Sequence, residues 1–110
     1  MEYDAIVAGT GFEGRAARIR MCAKPGMEVL LSPEPENSYD PNAIAVYLKV
    51  RRWFTLFLST EVQIGYIKKR LAKTITKRLE DGENIKFAYI KSLYLALEHP
   101  RVSIKIVIGE

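Results

Sequence analysis

Apolar residues in this sequence recur with two periods. Through most of the chain they alternate with polar residues: Ile44, Val46 and Leu48 fall on one face of "NAIAVYLKV", and Ile104, Ile106 and Ile108 alternate with Ser103, Lys105 and Val107. A period of two is that of a β-strand with one buried face. From Ile67 the spacing becomes four, through Leu71, Ile75 and Leu79, which is the stripe of an amphipathic helix ended by Asp81 and Gly82. Further strand-like runs are "DAIVAGTG", which reads as a buried strand entering a glycine turn, then Met27 to Leu31, "WFTLFL", "VQIGYI" and two more on either side of "EHP". The polar "STE" reads as the turn between "WFTLFL" and "VQIGYI". A short second helix fits Ala16 to Met21, stopped by Pro25 and Gly26. The expected class is mostly β, six or seven short strands around one core as a small, partly open β-barrel, with one clear α-helix.

A chain of 110 residues, 48% of them hydrophobic, can bury one core, so residues 1–110 are expected to form a single domain. The run "WFTLFL" is far below the ~20 apolar residues of a membrane-spanning helix, and "MEYDAIVAG" lacks the basic start of a signal peptide. Both point to a soluble, intracellular (cytoplasmic) protein with no membrane partner. Cys22 is the only cysteine and His99 the only histidine, so neither an internal disulfide nor a Cys/His zinc site can be assembled. No metal or other cofactor is expected. Gly9, Gly11 and Gly14 have the spacing of a dinucleotide fingerprint, but "RAARIRMCAKPG" is too short for its long helix, and no βαβ unit follows.

Charge is unevenly distributed. Between Lys49 and Arg78 stand nine Lys/Arg and one acid, Glu61, a net +8, whereas the remainder of the chain is net −4. Such a segment attracts phosphate by steering and counterion release, although basic faces also occur on proteins that bind no nucleic acid. Lys68, Lys69, Arg70, Lys73, Lys77 and Arg78 lie on or beside the helix's solvent side. A solvated face accounts for the middle and end of the helix; Lys68 and Lys69, at its N-terminal end, suit a phosphate oxygen.

The stretch "EPENSYDPNAIAV" has two readings. Asn37, Asp40, Pro41 and Asn42 are turn formers whose side chains cap nearby backbone groups. The other reading makes the same loop, with its one tyrosine, Tyr39, one side of a binding pocket. Phe12 is either a platform on the glycine turn or a core residue, and Tyr66, between Ile64 and Ile67, is either exposed or half-buried.

Together, "VAGTGFEG", "MEVLLSPEPENSYDPNAIAV" and "IGYIKKRLAKTITKRLEDG" resemble the HIRAN domain, a module found at the N-termini of helicase-like DNA-repair remodellers and on its own in bacteria and phages. The likeness runs from about Asp4 to Ile108, and its most specific part is N-x-Y-D-x-N-A-I followed by I-G-Y-I before a helix. The resemblance implies a modified OB-like or SH3-like barrel that binds single-stranded DNA and captures a free 3′ end. It implies that Asp40 accepts a hydrogen bond from the terminal hydroxyl and that Asn37 helps hold the end nucleotide. Tyr39 and Phe12 would offer aromatic surfaces, and Lys69 would meet a backbone phosphate with Tyr66 beside it; Lys68 and Lys73 extend the basic side. This sequence departs from the pattern at Gly11, where a basic residue can stand, and in the long segment "RRWFTLFLSTEVQ". Trp53, Phe54 and Phe57 of that segment would cover the barrel or form a homodimer contact through Trp53 to Leu58.

The reading is therefore of a non-enzymatic module for single-stranded DNA or DNA ends, serving repair or fork processing. The chain has no ATPase motif, so remodelling would need a helicase or nuclease partner or a larger parent protein. The alternative is an SH3-like interaction barrel holding a peptide. Hydrolysis is disfavoured, because Glu34, Glu36 and Asp40 are the only close acids and His99 is remote in sequence.

Overall fold

The computed structural model describes residues 1–51, 59–96 and 98–110. Six strands and two helices follow in the order β1 (Glu2–Ala8), α1 (Arg15–Cys22), β2 (Val29–Pro33), β3 (Ile44–Arg51), β4 (Ser59–Ile67), α2 (Lys69–Glu80), β5 (Asn84–Tyr94) and β6 (Arg101–Gly109). Both helices therefore form where the spacing predicts them. The "STE" expected as a turn lies within β4, and the "WFTLFL" segment, with its proposed dimer contact, falls outside the described residues.

The strands form one antiparallel sheet in the order β2-β3-β4-β1-β6-β5. It is not closed into a barrel, while the mostly β class with two helices is as expected. The reason lies at its two edges: the segment before β2 meets β5 through a single isolated bridge, Glu28 with Tyr89. Beside that bridge the Gly26 N–H donates to the Ile90 carbonyl at 2.7 Å, and the Ile90 N–H donates to the Met27 carbonyl at 2.8 Å. No ladder continues from there into β2, whose pairing is with β3 alone.

Strand β1 holds the sheet's two halves together by changing partner along its length. Residues 2–6 pair with β6, and only Val7 and Ala8 pair with β4, opposite Ile67 and Tyr66. Contrary to the continuous burial expected, β1 alternates: Ala5 and Val7 face the core while Ile6 is 40% exposed. This is the pattern of an antiparallel strand with one solvated face.

The core is the sum of the period-two faces. Ile44, Val46, Leu48, Ile64, Ile104, Ile106 and Ile108 are fully or almost fully buried, joined by Ile19 of α1 and Ala72 and Ile75 of α2. Helix α2 packs on β5 through that stripe, leaving Lys69, Arg70, Lys73 and Lys77 in solvent. Arg78, expected on the solvent side, is instead half-buried: its guanidinium meets Glu83 at 3.0 Å and lies 5.8 Å from the centre of the Tyr3 ring. Among the described residues no helix is long and apolar enough to cross a membrane.

Candidate nucleic-acid interface

An irregularity in the β3–β4 ladder aims the first functional side chain. Val46 pairs with Gly65 but the adjacent Tyr47 pairs with Gln63, so Ile64 is an extra residue on β4. A bulge of this kind shifts the phase of the strand. Ile64 and Ile67 both stay in the core across an odd spacing, and Tyr66 is turned partly outward.

The loop between β2 and β3 supplies the opposite wall, and side-chain hydrogen bonds hold it. Asn37 Oδ1 accepts the Tyr39 and Asp40 N–H groups at 2.9 and 3.1 Å, and Asp40 Oδ1 accepts the Asn42 N–H at 2.9 Å. Backbone bonds from Asn37 to the Glu34 carbonyl and from Ala43 to the Asp40 carbonyl close the turn at both ends. With its backbone held this way, Tyr39 stands 94% exposed. A large aromatic ring left in water on a well-bonded loop gains nothing for the fold.

Glu34 joins the two walls. Its Oε1 accepts from Asn37 Nδ2 at 2.9 Å and from the Tyr66 hydroxyl at 3.0 Å. From sequence Glu34 reads as a solvated acid in a turn, and nothing local marks it otherwise, because Tyr66 lies on another strand. Glu34→Ala is expected to cost about 1 kcal/mol by removing the acceptor that these two part-buried donors share, read as a lower urea midpoint. Glu34→Gln, which keeps an acceptor oxygen, should recover most of it.

Between these walls lies a cleft of about 730 Å³ lined by Asn37, Ser38, Tyr39, Asp40, Ala43, Tyr66, Ile67 and Lys69. The fold thus brings together five of the residues singled out in sequence: Asn37, Tyr39, Asp40, Tyr66 and Lys69. The other three lie elsewhere. Lys68 lines a groove beside β1, and Lys73 lies further along α2 with Lys77, Arg78 and Glu83. Phe12, 68% exposed and so not a core residue, borders a smaller depression with Gly9, Thr10, Gly11 and His99. There a Cβ on Gly11 would sit 2.2 Å from Nδ1 of the exposed His99, so a side chain at this position requires the His99 ring to turn aside.

Arg15 connects the Phe12 turn to the cleft, and sequence reasoning does not find it. Its side chain is only 8% exposed; Nη1 donates to the Gly9 carbonyl at 3.0 Å, and the guanidinium lies 5.3 Å from the centre of the Tyr66 ring. The carboxylate of Glu13, a residue in the left-handed region at φ 52°, meets Nη2 at 3.4 Å, and Nε is buried without a partner. A cation held against an aromatic face and a carbonyl ties that turn to β4. Nothing local to α1 marks Arg15, since an arginine at a helix start usually reads as solvated.

An aromatic ring, a carboxylate, an amide and a lysine surround one open cleft on a small β-sheet scaffold, chemistry that suits a nucleic-acid-binding module. The comparisons agree in class. The HIRAN domain model matches residues 3–108, and the chain belongs to the HIRAN domain family, whose members are known as nucleic-acid-binding modules. The crystal structure of the HIRAN domain of human HLTF is similar to this fold with a TM-score of 0.68 at 19% identity, covering 99% of this chain and 76% of that one. A protein from Lactobacillus plantarum, solved by the northeast structural genomics consortium, gives a TM-score of 0.69 at 20% identity, with both chains fully covered. A search of curated proteins finds no match.

Proposed function

We propose that this chain is a non-enzymatic module that binds single-stranded DNA and takes a free 3′ end into the cleft of Asn37, Tyr39, Asp40, Tyr66 and Lys69. The observation that carries this reading is Tyr39: a fully presented ring on a hydrogen-bonded loop, next to a carboxylate, in a cleft that Lys69 also lines. Unpaired bases expose π faces, and stacking on an aromatic side chain is worth about 1–3 kcal/mol per base. Lys69 supplies the charge a phosphate needs. The Asp40 carboxylate, acceptor-only when ionised, matches a hydroxyl and repels a phosphate, so it favours a terminus over an internal nucleotide. Asp40 already spends Oδ1 on the Asn42 N–H, and Oδ2 remains for the hydroxyl. The setting would be DNA repair or replication-fork processing, with a helicase or nuclease supplying the catalysis.

The test is fluorescence anisotropy with two single-stranded oligonucleotides that differ only in a 3′-hydroxyl or a 3′-phosphate. The hydroxyl form is expected to bind about tenfold tighter, the worth of one charge-assisted hydrogen bond. Equal affinity would remove the end-reading role from Asp40, and no binding of either would overturn the reading.

A further inference from the structure

A second groove begins where the first one ends. Ile67 and Lys69 line the cleft described above, and the residue between them, Lys68, lines a groove of about 450 Å³ between β1 and α2. Its floor is apolar: the exposed Ile6 lines it with Leu71 and Tyr3. Its rim is cationic: Lys68 and Arg70 are both exposed, and neither has an ion-pair partner among the described residues. The one acid in the groove, Asp4, is paired with Lys91 at 3.5 Å, so its charge is partly offset.

An isoleucine facing water on a strand whose neighbours pack inward does nothing for the core. A floor of that kind between two unpaired cations matches a nucleotide, whose base is apolar on its faces and whose phosphate is anionic. From these features we infer that the groove lined by Ile6, Leu71, Lys68 and Arg70 is a second nucleotide subsite, which receives the strand as it leaves the Tyr39 cleft. The inference rests on the reading of that cleft as a strand-binding site and assigns the path of the strand beyond it. Lys68 and Lys69, adjacent in the chain but facing different grooves, act on successive parts of one strand.

Anisotropy with a trinucleotide and a dodecanucleotide of deoxythymidine, both ending in a 3′-hydroxyl, tests this. The variant Lys68→Ser with Arg70→Ser is compared with Lys24→Ser with Lys77→Ser, which removes the same charge from exposed positions outside both grooves. The expected result is that the first variant binds the dodecanucleotide about tenfold or more weaker and the trinucleotide nearly as wild type. The second should change both lengths little and equally. Ile6→Ser should also weaken the dodecanucleotide selectively, with the slope of affinity against salt unchanged because no phosphate contact is lost. If the two charge variants lose the same affinity for the long strand, or if Lys68→Ser with Arg70→Ser weakens both lengths alike, the second subsite is wrong while the Tyr39 cleft stands. Failure of the wild-type protein to bind either length would overturn both.

Discussion

Tyr39→Ala combined with Asp40→Asn is expected to lower the affinity for single-stranded DNA by about thirtyfold or more and to abolish any preference for a 3′-hydroxyl. The estimate adds a lost stacking platform, about 1–3 kcal/mol, to a weakened hydrogen bond from the terminal hydroxyl, about 1–2 kcal/mol, where 1.4 kcal/mol is a factor of ten. Neither change should unfold the protein. The Tyr39 ring is exposed and makes no hydrogen bond, and an asparagine at position 40 keeps an oxygen for the Asn42 N–H. Thermal melting within a degree or two of wild type, together with the lost binding, would place the effect at the cleft. Unchanged affinity and end preference in this double variant would end the case for a pocket and leave the loop as a scaffold. The single variants should divide the effect: Tyr39→Ala weakens both oligonucleotides, whereas Asp40→Asn mainly removes the difference between them.

Gly65→Ala should be the most destabilising single-methyl change in the described chain, costing about 4 kcal/mol. A Cβ at position 65 would lie 2.3 Å from the Ala8 carbonyl oxygen and 2.5 Å from Val7 Cγ1. The first of these is backbone and cannot rotate away. The clash also falls where β1 crosses to β4 by two residue pairs, Val7 with Ile67 and Ala8 with Tyr66, so relieving it means parting the sheet's halves. Against a total stability of about 5–15 kcal/mol, a loss of that size leaves much of the protein unfolded at modest temperature. Gly82→Ala is the control. Gly82 also has a positive φ, 95°, but no atom lies within 4 Å of where its Cβ would be, so only the backbone cost of about 1 kcal/mol applies. Urea melts of the two variants separate a steric seam from a turn preference; similar midpoints would show that β1 and β4 can yield.

The two effects meet in one structural element. Gly65 allows β4 to bulge and cross β1 closely, and the same bulge turns Tyr66 toward Glu34 and the Asn37 loop. A packing device for the sheet therefore also sets one wall of the cleft, which is why a variant at Gly65 that still folds should bind DNA poorly.

The sequence by itself determined the local elements: the period-two faces of β3 and β6, the four-residue stripe of α2 and its stop at Gly82, the short helix after the glycine turn, and the family through its N-x-Y-D and I-G-Y-I motifs. Each depends on residues within a few positions of one another, where side-chain direction follows directly from the backbone period. The tertiary structure alone decided the rest. It left β2 and β5 as edges of an open sheet, because only one bridge joins them. It also made Glu34 the link between loop and strand, buried the Arg15 cation against Tyr66, and divided eight candidate residues between one cleft and three neighbouring depressions. Those outcomes rest on which strands lie side by side and in what register, and a pairing between β1 and β4 or between the Glu34 loop and Tyr66 joins residues far apart in the chain. Hydrophobic spacing carries no record of such pairings, since it reports which face of an element is buried and not which partner buries it.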